Sequence, residues 1–172
     1  MREQLPIVRL RAIEPEDLEL LYKIENNYKL WACGTTNVLY SHYLLHDYIA
    51  QSTGDIYTDK QVRFIICNQD NKCVGIIDLV NFNPKHLRAE VGIVIQKAYR
   101  NNGYAEAALE QLIRYATNTL HLHQLYALVA TDNQASKQLF KAVNFHCNAT
   151  LKDWLFDGHH HFDADLWQLI LP

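Results

Sequence analysis

The stretch Ala89–Leu120, AEVGIVIQKAYRNNGYAEAALEQLIRYATNTL, changes its hydrophobic period halfway along. Ala89–Gln96 is a short apolar run rich in valine and isoleucine, and it reads as a buried strand. From Ala105 onward the apolar residues fall at 105, 108, 109, 112, 113 and 116, the spacing of a helix with one face on a core. Arg100-Asn101-Asn102-Gly103-Tyr104-Ala105 joins the two as a tight turn leading straight into the helix N-terminus. The first turn of a helix carries unpaired N–H groups and a partial positive charge. Gly103 and the small Ala105 let a phosphate approach the backbone closely, so the junction reads as an anion site suited to a pyrophosphate. An ordinary strand-to-helix connection, with the glycine serving the turn alone, accounts for the same residues.

The rest of the chain bounds the reading. Its 172 residues are most simply one domain, 1–172, long enough to bury a core. Composition is that of a globular protein, and a formal charge of −3 argues against a general nucleic-acid or anionic-membrane binder. No apolar run approaches the roughly 18 residues of a membrane span, and MREQLPIVRL lacks the apolar core of a signal peptide, so a cytoplasmic location is the expectation. Cys33, Cys67, Cys73 and Cys147 form no C-x-x-C pair and read as reduced thiols, with Cys67 and Cys73 flanking a hairpin turn. Two phosphate loops are absent: there is no G-x-x-x-x-G-K-[ST], and no G-x-G-x-x-G between a strand and a helix.

Taken in order, residues 7–12 alternate as a first strand. Glu14-Pro15-Glu16-Asp17 opens a helix with Leu18, Leu21 and Tyr22 on its apolar side, ending at Asn26-Asn27. Ser41 is the expected N-cap of a second helix whose inward face is Leu44, Leu45, Tyr48 and Ile49. Around it lie Tyr28, Trp31, Tyr40, Tyr43 and Tyr57, which read either as an aromatic wall or as core and rim residues. Gln61–Cys67 and Cys73–Asn81 are strands about the Asn68-Gln69-Asp70-Asn71 turn, and Gln124–Thr131 is another strand. Ala135–Val143 is a short helix. Asp153–Phe156 and Phe162–Leu171 are strands joined through Asp157-Gly158, a two-residue hairpin signal.

Two motifs in this order carry a resemblance. Arg100, Gly103 and Ala105 fill the fixed positions of [RQ]-x-x-G-x-[GA], and Asn133 to Phe145 resembles N-x-x-[AS]-x-x-[LI]-[YF]-x-x-x-[GN]-F. With the opening strand and helix, these make the chain similar to the GNAT superfamily of N-acyltransferases, closest in look to the bacterial spermidine or diamine and ribosomal-protein acetyltransferases. The resemblance implies an α/β (α+β) fold: a central mixed, mostly antiparallel twisted sheet flanked by helices. It also implies acetyl-CoA as cosubstrate and a small-molecule amine or peptide amine as acceptor. By the same resemblance, the CoA-binding positions are the backbone of Ile93, Val94 and Ile95, the loop Arg100, Asn101, Asn102, Gly103, Tyr104 and Ala105, and Asn133, Ser136 and Phe140 of the last helix. The last strand, if exposed, would pair with a second subunit in a homodimer or higher homo-oligomer, as in many relatives.

Acyl transfer to an amine needs a bound thioester, an unprotonated amine and a proton for the leaving thiolate. Glu90, a carboxylate leading into an apolar strand within Arg88-Ala89-Glu90, is the candidate base; pairing with Arg88 or Lys85 is its alternative use. Asp78 is a second choice. The helix motif has Phe140 where many family members place a tyrosine that protonates the thiolate, and a phenyl ring donates no proton. That substitution sustains a second reading, a CoA-binding module without turnover. His159-His160-His161 are consecutive turn residues without an acidic or cysteine partner at ligand spacing, so no metal site is expected.

Overall fold

Side chains alternate across a strand and return every 3.6 residues along a helix, and these two periods sort the apolar residues onto the two faces of one sheet. The computed structural model describes residues 4–31 and 38–172, with Trp31 described by its backbone alone. The strands are β1 (Arg9–Ala12), β2 (Val62–Cys67), β3 (Cys73–Asn83), β4 (Arg88–Ile95), β5 (Gln124–Ala130), β6 (His146–Phe156) and β7 (His161–Ile170). The helices are α1 (Leu18–Glu25), α2 (Tyr28–Trp31), α3 (His42–Gln51), α4 (Ile56–Asp59), α5 (Tyr104–Asn118) and α6 (Gln134–Ala142). The strands form one sheet in the order β1-β2-β3-β4-β5-β7-β6. All neighbours are antiparallel except β4 and β5, which run parallel.

On one face, Ala89, Val91 and Ile95 of β4 join Ile77 and Leu125 beneath α5, whose Ala108, Leu109, Leu112 and Ala116 point down. On the other face, Ile65, Cys67 and Ile76 meet Leu20 and Ile24 of α1, and Leu21 packs with Leu45 and Ile49 of α3. A one-turn 3-10 helix, Pro15–Asp17, precedes α1; the Asp17 carboxylate accepts from the Glu14 N–H and from both terminal nitrogens of Arg11 at 2.7–2.8 Å. The Gln111 side chain donates to the Val8 carbonyl and ties α5 to the chain just before β1.

The structure corrects several local expectations. Ser41 does cap α3, accepting from the Leu44 N–H, but Leu44 itself points to solvent, since Leu45 and Ile49, four apart, define the buried stripe. Tyr28, Tyr43 and Tyr57 are exposed, and Tyr40 packs in the small α1–α3 core, so these rings do not gather into a wall. The Trp31 side chain and Cys33 lie outside the described residues. β3 extends to Asn83, and β6 begins at His146 instead of Asp153. Almost every residue of β6 is exposed on both faces, which removes the alternation that marks a strand. The β6–β7 loop has four residues: the Asp157 carboxylate accepts from the N–H groups of His159 and His160, both 2.8 Å, and the Asp157 N–H donates to the His160 carbonyl. Cys67 and Cys73 are register partners across β2 and β3, both free thiols.

Candidate active site

The sheet opens at its middle. β4 and β5 pair only over Arg88–Glu90 and Gln124–Tyr126, after which β4 stays with β3 as far as Ile95 and β5 stays with β7 as far as Ala130. The two strands therefore part beyond the Glu90–Tyr126 rung. The Gln96 N–H donates to the Val74 carbonyl of β3 at 2.8 Å. Backbone groups alternate sides along a strand, so Val94 faces β3 while the backbone of Ile93 and Ile95 faces the opening. An amide-bearing chain laid in that opening would find strand edge to bond, with the N–H and carbonyl of Ile93 and the N–H of Ile95 on offer.

The mouth of the opening is the β4–α5 loop. Arg100 Nε donates to the Ile95 carbonyl at 2.9 Å, and the Asn102 side chain donates to the carbonyls of Tyr99 and Arg100. Asn101 and Gly103 both adopt the left-handed conformation (φ 59° and 79°) that reverses the chain within so few residues. The first bond of this helix runs from the Ala107 N–H to the Gly103 carbonyl, so the N–H groups of Tyr104, Ala105 and Glu106 have no intrahelical acceptor. Gly103 has a second reason to be glycine: a Cβ there would come within 2.9 Å of Pro6 Cδ. Tyr104 packs edge-to-face on Tyr99 and, with Ala105, against the α5 core.

The other predicted positions are placed as follows. Asn133 caps α6, its side chain accepting from the Ser136 N–H at 3.0 Å. Phe140 is 4% exposed and packs on Phe145 in the core. Glu90 is half-buried and accepts from the Asn81 side-chain amide at 2.8 Å, a neutral partner instead of Arg88 or Lys85. Asp78 is bound differently: Arg63 clasps it through two hydrogen bonds of 2.7 and 2.8 Å and bonds Glu25 at 2.6 Å with its third nitrogen. A carboxylate held bidentately by a buried guanidinium is a poor base, and the structure assigns Asp78 to the scaffold.

Two further residues were not singled out from sequence. Arg63 lies in an apolar strand, where its positive charge gains value only once β3 and α1 bring up their acids. Tyr126 is the register partner of Glu90 on β5. Burial and the charge of Glu90 push its phenol above the ordinary range, with Arg88 pulling it back. A tyrosine inside QLYALVAT is a visible oddity, but the parallel register that sets it opposite Glu90 is not readable from the chain. Among the described residues no group of three or more His, Cys, Asp or Glu is arranged to hold a metal.

A sheet parted beside an uncapped helix N-terminus, with a carboxylate at the closed end of the gap, defines the class of acyl-CoA-dependent N-acyltransferases. The anion-ready turn suits the pyrophosphate of CoA and the free edge of β4 suits its amide-bearing arm. Residues 8–146 match the family described as the acetyltransferase (GNAT) domain, and the chain belongs to that family. It is 25% identical over 173 residues to the uncharacterized N-acetyltransferase YoaA of Bacillus subtilis, covering 95% of this chain and 93% of that one. It is 26% identical over 149 residues to the spermidine N(1)-acetyltransferase of Escherichia coli K12, covering 87% of this chain and 78% of that one. The crystal structure of the Vibrio cholerae spermidine N-acetyltransferase in complex with CoA and spermine superposes with a TM-score of 0.86 over 95% of each chain, at 22% identity. The chain is an N-acetyltransferase that uses acetyl-CoA, and the reading as a module without turnover is not favoured. Among the described residues no helix is long and apolar enough to cross a membrane.

Proposed function

We propose that residues 1–172 act as one cytoplasmic acetyltransferase domain that moves the acetyl group of acetyl-CoA to a primary amine of a polyamine or diamine, with Glu90 as the base. The parting of β4 from β5 just beyond Glu90 carries this reading, because it brings the free strand edge and the carboxylate to one gap. The CoA pyrophosphate takes the N–H groups at the start of α5, and the backbone of Ile93 and Ile95 takes the pantetheine and polarises the thioester carbonyl. Asn133 and Ser136 set the α6 turn beside it, and Phe140 contributes apolar packing. Glu90 accepts the proton of the attacking amine.

The acceptor class rests on charge and on the relatives. On the face away from α5, Asp78 of β3 and Glu25 of α1 set two carboxylates against the one guanidinium of Arg63, and Glu90 lies two strand positions from Asp78's partner Gly92, an arrangement that supports a cationic substrate. The E. coli and V. cholerae relatives are named for spermidine, which supports a polyamine here. The V. cholerae enzyme also occurs as a dodecamer, and the exposed edge of β6 supports self-association of this chain too. Release of CoA thiol from acetyl-CoA, measured against polyamines, diamines, amino acids, aminoglycosides and short peptides, tests the reading. Turnover with spermidine or a diamine is expected; turnover with peptides alone would reassign the acceptor, and no turnover on any amine would overturn the reading.

A further inference from the structure

The leaving thiolate still needs a proton, and Phe140 has none to give. At the closed end of the gap the strands contribute one ionisable side chain each: Glu90 from β4 and Tyr126 from β5, paired across the last rung before the strands separate. Paired residues of neighbouring strands share a face, and here it is the face away from α5. Tyr126 is half-buried, with Glu90 and Arg88 the charged groups that act on its phenol from β4, and neutral Gln168 beside it on β7. Gln168 is itself committed, donating to Gln124 and accepting from Asn148, so the phenol has Glu90 as its interacting neighbour on that row. Of the other tyrosines around the sheet, Tyr99 and Tyr104 meet edge-to-face at the loop, Tyr115 of α5 meets Phe64, and Tyr48 of α3 lies beneath the Arg63 guanidinium, so Tyr126 alone among these shares the Glu90 rung.

We propose that Tyr126 is the acid that protonates the departing CoA thiolate, and that Glu90 reloads it. The amine nitrogen bonds to the thioester carbonyl carbon and gives its proton to the Glu90 carboxylate. The C–S bond then breaks, the sulfur keeps the electron pair and takes the phenol proton of Tyr126, and the resulting phenolate takes the proton held by Glu90. Both side chains return to their starting states, and the products are the acetamide and free CoA thiol. This rests on Glu90 acting as the base.

Comparing Tyr126→Phe with the unaltered protein on two donors, acetyl-CoA and its selenoester analogue, tests the assignment with the mixed amine panel as acceptor. A selenolate leaves without needing a proton. Tyr126→Phe is expected to lower kcat with acetyl-CoA by about 100-fold, the lower range for a general acid, and to recover to within about threefold with the selenoester. CoA affinity by calorimetry and the thermal midpoint are expected to stay at the level of the unaltered protein. An unchanged rate with acetyl-CoA, or an equal loss with both donors, would overturn the role. Glu90→Gln run alongside separates the two readings. A rate unaffected by Glu90→Gln removes the base and the reloading step, whereas selenoester rescue of Tyr126→Phe reads the acid alone.

Discussion

Three acidic side chains, Glu90 and Asp78 of the sheet and Glu25 of α1, have three different fates set by what each touches. Glu90 meets an amide and a phenol, Asp78 a guanidinium gripping it twice, and Glu25 the remaining nitrogen of that same guanidinium. Substitution is expected to separate these roles cleanly. Glu90→Gln keeps the size and the bond with Asn81 and removes the proton acceptor. Its kcat is expected to fall about 100-fold or more, with CoA affinity and urea midpoint unchanged. Asp78→Asn leaves Arg63 buried with an incomplete partner set, which costs about 3 kcal/mol when a buried pair is broken. Urea denaturation is expected to show that loss. An Asp78→Asn protein that melts normally but has lost its turnover would return Asp78 to the chemistry. The place of Glu90 at the start of an apolar strand was legible in the sequence, which is what made it the candidate base. The use of Asp78 was not, because a carboxylate on a strand looks the same whether its partner is substrate or an arginine fifteen residues away.

At the level of elements, the loop and helix motifs were readable because they are local: the glycine, the period and the cap all lie within one turn of each other. The parting of β4 and β5 was not readable in the residues, since the register between strands so far apart in sequence leaves no mark on either one. Gly103 links the local and the distant. Its positive φ is a local requirement, and its contact with Pro6 is one that only the fold creates. Gly103→Ala therefore meets both strain at φ 79° and a clash at the chain end, together about 1–3 kcal/mol. The first turn of α5 shifts in response. KM for acetyl-CoA is expected to rise about tenfold with kcat nearly constant; an unchanged KM would take the helix terminus out of CoA binding. A second joint ties β1 to α1. Burial opposes ionisation of Asp17, but the bonds from Arg11 and the Glu14 N–H win and hold it below its ordinary 3.8. A carboxyl depressed in the folded state stabilises above its unfolded pKa, and that contribution disappears as pH falls through the folded value. Urea midpoints are expected to drop below about pH 4 in the unaltered protein and to drop less over the same window in Asp17→Asn, which starts from a lower stability.

For the molecule as a whole, the unresolved demand is the edge of the sheet. One end is short, four residues of β1, and the other is the eleven residues of β6 with almost no side chain buried. The Thr131 N–H donates to the Asp163 carbonyl at 3.2 Å, and beyond that bond the β6–β7 hairpin runs past the end of β5, its residues 152–162 paired among the described residues within the hairpin alone. Trp154 and Phe156 sit there at 55% and 52% exposure, and Phe156 leans on His161. A long unpaired edge bearing large apolar rings is what a soluble chain ordinarily blunts with charge or covers with a partner. β6 carries Lys152 and Asp153, but Lys152 is drawn to Asp163 of its own hairpin at 2.7 Å, which leaves the edge lightly defended. The proposed self-association would answer that demand, since a repeated edge can complement itself. Light scattering on the eluting protein is expected to give a mass of at least two chains. Trp154→Asp with Phe156→Asp adds charge at the edge and is expected to shift that mass toward one chain. Neither ring is part of the cores, so the melting of a single chain is expected to change little. A double variant that keeps the full mass would move the contact elsewhere, to the exposed Tyr28 and Tyr43 on the opposite side of the chain order, and would leave the β6 edge to be explained by the hairpin alone.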